Sequence, residues 1–214
     1  MTAAERLFGE RGIDGVSLRQ INQAAGCANV AAIHYHFGSK EALVTALIER
    51  RMKGINTRRM AMLDEIEKTA GVDDLHGLIE AVVWPLAEQL NDSSGGNHYV
   101  QLLAQVYGDP RLPVAETFRG CFGQSVRRVE ELIHQRLTYL PREIVATRFG
   151  LAGSQMIHTL ADWERQLRTS RGKASPAYTA LYVSILVDTI VAGLESPVSA
   201  TTLRQLKETQ RKRA

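Results

Sequence analysis

Residues 16–40, VSLRQINQAAGCANVAAIHYHFGSK, read as two short helices joined by a tight turn, and this pair decides the fold. Ser17 is an N-cap whose hydroxyl can take an orphan backbone N–H, and Leu18, Ile21 and Ala25 recur behind it as one apolar face. The first helix is therefore expected over about 17 to 25. Gly26 follows the last periodic residue, where a left-handed backbone stops a helix at little steric cost. Asn29 is a second N-cap, and Val30, Ile33 and Phe37 supply the inner face of a second helix expected over 29–37. Ala31, Ala32, His34, Tyr35 and His36 are left on its outer or flanking faces. Two alanines let a helix approach another surface closely, and the His and Tyr tips can reach phosphate oxygens or base edges, as a helix entering a DNA major groove requires. Gly38 ends this helix, Ser39 can cap the next, and Lys40 begins it.

Working outward, the runs AAERLFGERGIDGVS, LRQINQAAG and YHFGSKEAL stand in that order between Met1 and Arg51. Together they resemble the DNA-binding domain of the TetR/AcrR family of bacterial transcriptional regulators. The resemblance implies that Ser17 and Lys40 hold phosphates and that Arg19 lies near a base edge or phosphate. It places the reading surface at Ala31, Ala32, His34, Tyr35 and His36. The tyrosine of the family's reading helix falls at His34 with Tyr35 beside it, so either ring can hold that register.

A chain of 214 residues, 44% apolar and 23% charged, accommodates one small and one larger globular domain. The net charge of +3 is mild. Through Lys53 the basic residues are Arg6, Arg11, Arg19, Lys40, Arg50, Arg51 and Lys53, and the acidic ones Glu5, Glu10, Asp14, Glu41 and Glu49. Charge alone would therefore not identify a nucleic-acid binder. Cys27 and Cys121 fall in different expected domains, which suits small buried residues in a reducing cytosol better than a disulfide framework. Glu5, Arg6, Glu10 and Arg11 interrupt any apolar core of a signal peptide at this start. These features point to a cytoplasmic protein.

In chain order, Ala4, Leu7 and Phe8 mark the buried face of a first helix, and Ile13 and Val16 seal the small core behind it. From Lys40 a helical pattern runs to about Thr69: Leu43, Ala46 and Leu47 close the first domain, and Met52, Ile55, Met62 and Ile66 continue the face. This helix links the two domains, so moving its far end would move the reading helix. A helix with Leu75, Ile79, Val82, Leu86 and Leu90 follows, with Pro85 inside it as a source of a kink. After the turn-rich NDSSGGN comes a short helix over about 98–107, then a long one from near Pro113 carrying Phe118, Phe122, Val126, Val129, Ile133, Leu137 and Leu140. Pro141 opens a helix with the stripe Phe149, Ala152, Met156, Leu160, Trp163 and Leu167, and Pro176 opens the last long one.

That last helix, YTALYVSILVDTIVAGL over 178–194, is apolar all round and needs cover on both faces, of which its own domain supplies one. A membrane span is the poorer explanation, because Thr179, Ser184, Asp188 and Thr189 dilute the run. Two such helices from each of two chains, about 141–170 and 176–195, would make a four-helix dimer interface. The residues after Pro197 read as a basic, solvated tail. The expected architecture is all-α: a three-helix helix-turn-helix domain over 1–51, a helical effector-binding and dimerisation domain over 52–196, and a tail over 197–214.

The Glu131-x-x-His134 spacing has no second copy of the kind a di-iron bundle requires, and no nucleophile elbow, phosphate loop or zinc spacing occurs. Neither a metal, a cofactor nor an enzymatic activity is expected. The reading is a homodimeric, ligand-responsive repressor acting on a palindromic double-stranded DNA operator. The effector site is expected among Trp84, Tyr99, Tyr107, Phe118, Phe122, Met156, His158 and Trp163, which suggests a small, mostly apolar ligand. A constitutive DNA-binding dimer without effector, or a helical-bundle enzyme, are the alternatives.

Overall fold

The structure, a computed structural model, describes residues 1–26, 32–69, 73–91, 98–109, 114–169 and 175–212, and within them not the side chains of 32, 33, 91 and 114–122. The expectations for Cys27, Asn29, Val30 and Ala31, for the loop at 92–97 and for the side chains of Ala32, Ile33, Phe118, Cys121 and Phe122 lie outside the described residues.

Among those residues the chain is all-α. The helices are α1 (Thr2–Arg11), α2 (Leu18–Ala24), α3 (Ala32–Phe37), α4 (Lys40–Thr69), α5 (Leu75–Ala87), α6 (Tyr99–Gly108), α7 (Val114–Arg136), α8 (Arg142–Thr169), α9 (Pro176–Glu195) and α10 (Ala200–Arg211). A 3-10 turn, Glu88–Asn91, follows α5.

The first four helices fold around one small core. Ala4, Leu7, Phe8, Ile13, Val16, Ile21, Leu43, Val44, Leu47 and Ile48 are buried there. Ser17 makes a full capping box: its Oγ accepts from the Gln20 N–H at 3.3 Å, and the Ser17 N–H donates to Gln20 Oε1 at 2.8 Å. Gly26 and Gly38 take φ of 66° and 74°, the left-handed backbone expected where α2 and α3 stop. On α4 the sealing residues are Leu43, Val44, Leu47 and Ile48, while Ala46 is only half-buried.

α4 runs unbroken past residue 51, where the domain boundary was expected, and its buried face continues through Met52, Ile55, Arg59 and Leu63 into the second domain. There it packs against α5 and α7, while α5 packs on α9 and α6 on α8. Asp74 Oδ1 accepts from the Gly77 N–H at 2.7 Å and caps α5; Ser175 caps α9 with Pro176 in its first turn. α5 ends at Ala87, two residues after buried Pro85, and the chain tightens into the 3-10 turn that still buries Leu90.

Polar side chains fasten the domains together. Gln105 of α6 donates from Nε2 to the Phe8 carbonyl at 3.1 Å and accepts the Ile13 N–H at 3.2 Å. Arg51 of α4 grips Glu5 of α1 in a fork, Nε to Oε2 at 3.0 Å and Nη2 to Oε1 at 2.7 Å, and lies 5.7 Å from the centroid of the buried Tyr99 ring. The basic segment after Pro197 is helical: residues 200–211 form α10, capped by Ser199, whose Oγ accepts from the Thr202 N–H at 3.1 Å. No residue of α10 is buried, and Gln210 donates to Glu143 Oε1 of α8 at 2.7 Å.

Candidate functional site

α2 and α3 carry those of the expected DNA-reading groups that are described. The inner side of α3 is held by Phe37, half-buried against the core, whereas His34, Tyr35 and His36 are exposed. Tyr35 is 86% exposed, and its ring meets that of His36 edge-on at a centroid distance of 5.5 Å. Arg19 is also exposed, on the first turn of α2. Ser17 is exposed too, with its hydroxyl engaged with Gln20. Lys40 is committed differently from its neighbours: its ammonium donates to the carbonyls of Ile13 at 2.9 Å and Val16 at 3.4 Å. It thus ties the start of α4 to the loop before α2, leaving one of its three protons for an anion.

Inside the second domain a cavity of about 580 Å³ opens between α4, α5, α6, α7, α8 and α9. Ile79, Val82 and Val83 wall it from α5, Val126 from α7, Phe149, Met156 and Ile157 from α8, and Ile190 from α9. The space exists because small residues face each other across it: Gly123 on α7 against Ala146, Gly150, Ala152 and Gly153 on α8. Of the eight residues expected at an effector site, the structure brings Tyr107 and Met156 to this cavity. Trp163 instead stacks on Tyr182 at 4.3 Å and donates from Nε1 to Thr179 Oγ1 at 3.3 Å, joining α8 to α9. Tyr99 is wholly buried against α1 and α4, and Trp84 packs half-buried on the core. His158 opens on a second, polar cleft shared with Glu10, Gln101, Asp162, Arg165 and Arg168.

Arg59 and Glu164 are buried charged groups that the sequence does not mark out, and His98, expected as a surface or core group, is buried as well. Arg59 lines the cavity and is 1% exposed. Glu164 is equally buried, and its carboxylate accepts the Val100 N–H at 3.2 Å and the Gln101 N–H at 2.9 Å, which satisfies the first turn of α6. Burial holds its pKa above the usual carboxylate range, against those two N–H bonds and Arg168. His98, beside Gly9 of α1, has a lowered pKa, chiefly from burial, with Arg168 adding to it and Glu10 and Glu5 opposing. The available signal was position: Arg59 stands four residues from both Ile55 and Leu63, on the apolar stripe of α4.

On α9, Thr179, Val183, Leu186, Val187, Ile190 and Leu194 face inward. Tyr178, Leu181 and Ile185 are 56%, 54% and 54% exposed, and Leu151 of α8 is 66% exposed. The helix thus covers one of its two apolar faces within the chain. It is, among the described residues, the one helix long and apolar enough to cross a membrane by length and composition. Asp188 on its outer side accepts from His76 Nε2 at 3.1 Å.

Comparison with known proteins adds two family profiles. One, described as bacterial regulatory proteins of the tetR family, matches residues 1–47; the other, described as a tetracyclin repressor-like C-terminal domain, matches residues 80–193. Two curated relatives, the uncharacterized HTH-type transcriptional regulators MT1294 and Rv1255c of two Mycobacterium tuberculosis strains, are each 33% identical over 70 residues, 33% of this chain. That match spans about a third of their length, 34%. A solved structure, the TetR family transcriptional regulator PfmR from Thermus thermophilus, is similar with a TM-score of 0.59 and 19% identity, over 90% of this chain and 97% of that one. At that identity the likeness concerns the fold.

Proposed function

Since the chain belongs to the TetR family of bacterial transcriptional regulators, which are DNA-binding transcription factors and not enzymes, we propose that it is a cytoplasmic, homodimeric repressor released from a palindromic operator by a small effector. The observation that carries the DNA reading is the outer face of α3, where Tyr35 stands 86% exposed between His34 and His36. A large ring presented to solvent on a short, otherwise anchored helix has no packing role, whereas ring tips in a major groove meet base edges and phosphates. Arg19, Ser17 and the remaining Lys40 proton contribute phosphate contacts, which fix position without reading sequence.

The open strip Tyr178, Leu181 and Ile185, with Leu151, supports a dimer in which α8 and α9 meet their copies. Two α3 helices then address successive major grooves about 34 to 36 Å apart. The cavity lies within the usual range for small ligands, roughly 300 to 1,000 Å³. Its α4 wall belongs to the helix that starts beside α3, so a ligand that binds two α4 positions unequally changes operator affinity; about 1 to 3 kcal/mol of coupling gives roughly 5 to 150-fold.

Selection of a random duplex pool on the purified protein at near-physiological salt tests this, with the His34→Ala, Tyr35→Ala double variant in parallel. The expected result is an enriched inverted repeat that the double variant loses. Retention that is sequence-blind, salt-sensitive and unchanged in the variant would overturn the reading, because phosphate attraction alone produces that behaviour.

A further inference from the structure

Arg59 carries a charge into the apolar interior of the second domain and, among the described residues, meets no carboxylate there. Its Nη1 donates to two neutral oxygens, Asn56 Oδ1 at 2.9 Å and Ser125 Oγ at 3.0 Å. Its Nε is buried without a hydrogen-bond partner, and among the described residues no acidic group pairs with the guanidinium. Burial pushes its pKa down to about 10, still far above neutrality. The group is therefore a cation at physiological pH, and buried charges are ordinarily paired or fully hydrogen-bonded because desolvating them is costly.

The same side chain lines the 580 Å³ cavity, whose remaining walls are chiefly aliphatic and aromatic. Among the described residues two other charged side chains reach that cavity, Arg127, which is exposed, and Glu130, whose Oε1 lies 3.9 Å from His134 Nε2. The three charges leave one positive charge in excess, and the buried one is Arg59. We infer that the cavity takes an amphipathic monocarboxylate, an apolar body bearing one carboxylate that closes on the unpaired edge of Arg59. A guanidinium edge offers two parallel N–H groups at the spacing of two carboxylate oxygens. A phosphate dianion would call for a second buried cation, and an alcohol or amine would leave the charge unanswered.

The site deepens the effector reading given above and takes its regulatory meaning from it. Asn56 Oδ1 accepts from both Arg59 and Ser125 Oγ, the latter at 3.0 Å, so Arg59 belongs to the tie between α4 and α7. Arg59 lies about 28 Å along α4 from Lys40 at 1.5 Å per residue. A carboxylate there acts on the helix that carries the DNA-reading unit.

The test is calorimetric titration of the full chain with decanoate, decan-1-ol, decylamine and decyl phosphate, repeated on Arg59→Gln and Arg127→Gln. Decanoate should bind at least about tenfold more tightly than decan-1-ol, a difference of roughly 1.4 kcal/mol. In Arg59→Gln the two should come within about threefold, roughly 0.65 kcal/mol, with the alcohol's affinity kept as the sign of an intact cavity. Arg127→Gln should keep the preference. Should Arg59→Gln fail to fold, Arg59→Lys, which keeps the charge and loses the fork, should shrink the preference without abolishing it. Equal binding of acid and alcohol, a preference that survives Arg59→Gln, tighter binding of the phosphate or amine, or no binding by any probe would each overturn the assignment. Operator affinity is measured separately. Arg59-dependent decanoate binding that leaves the operator complex intact sinks the regulatory reading while the site stands, and equal release of DNA by decan-1-ol and decanoate sinks the carboxylate assignment while the regulatory reading stands.

Discussion

Replacing Arg51 by alanine removes an α4 side chain that touches both α1, through Glu5, and α6, through the Tyr99 ring. Its partner Glu5 is 6% exposed, and the Arg51 side chain is 25% exposed, so the pair lies between the surface and interior cases. Exposed pairs contribute about 0 to 1 kcal/mol, and breaking a fully buried one costs about 3 to 5 kcal/mol because the survivor's charge is left unanswered. The Glu5 carboxylate is the buried member, which puts the Arg51→Ala loss at roughly 2 to 3 kcal/mol, including a fraction of a kcal/mol from the Tyr99 ring. For a chain of this size that lowers the thermal midpoint by roughly 4 to 12 °C. Arg51→Lys keeps the charge but not the fork and should lose about half as much. Urea unfolding of the wild type, Arg51→Ala, Glu5→Gln and the double variant completes a double-mutant cycle, with an expected coupling of about 1 to 2 kcal/mol. A loss below about 0.5 kcal/mol for Arg51→Ala, or strictly additive single variants, would refute the claim that this pair fastens the DNA-binding unit.

Gly9→Ala should destabilise, although alanine normally improves a helix interior by about 1 kcal/mol: a Cβ there would stand 2.6 Å from His98 Cβ, so α1 must move from α6. A higher urea midpoint in that variant would show the two helices not to be in contact. The lowered His98 pKa means the folded state resists its protonation, so stability present above pH 6.5 is lost as pH falls from there through the folded-state value. Glu164, with its pKa raised, has the opposite slope, contributing fully below pH 4.5 and losing that contribution as pH rises through its folded value. Comparing wild type with His98→Gln between pH 7.5 and 5.0 isolates the first effect: the variant should lose less stability on acidification, and equal losses would refute it. Leu181→Lys combined with Ile185→Lys places two charges on the open strip of α9; sedimentation should show the dissociation constant of the proposed dimer raised at least about tenfold with unchanged helicity, and an unaltered dimer would locate the interface elsewhere.

Local chemistry made the DNA-binding end legible. The Ser17 cap, the stop at Gly26 and the start of α4 at Lys40 each depend on residues within one or two turns of each other. The long helices were legible for a similar reason, because prolines and serines at their starts and threes-and-fours of apolar residues are local signals. The cavity was not. It is defined by what Gly123, Gly150, Gly153, Ala146 and Ala152 fail to fill, whereas the sequence reading looked for rings, and rings such as Tyr99 and Trp163 are spent filling the core. Arg59 was hidden because a charge on an apolar stripe reads as an interruption until both neighbouring helices are in place. α10 has only the short apolar spacing Ala200, Leu203 and Leu206 and buries none of it, so its helicity rests on the Ser199 cap and on Arg, Gln, Leu, Lys and Glu, all good helix formers.

The continuity of α4 makes it a lever, with Arg59 as one point of application and the base of α3 as the other. Over about 28 Å of rigid helix, a tilt of about 5° at the cavity swings the Lys40 end by roughly 2.5 Å. In a symmetric pair both ends swing, so the distance between the reading helices changes by up to about 5 Å against a groove repeat of about 34 Å. In the proposed dimer, rotations within the ordinary compliance of a helix bundle would therefore be enough to carry both readers off their bases, and neither small domain would have to deform internally for the pair to lose its grip.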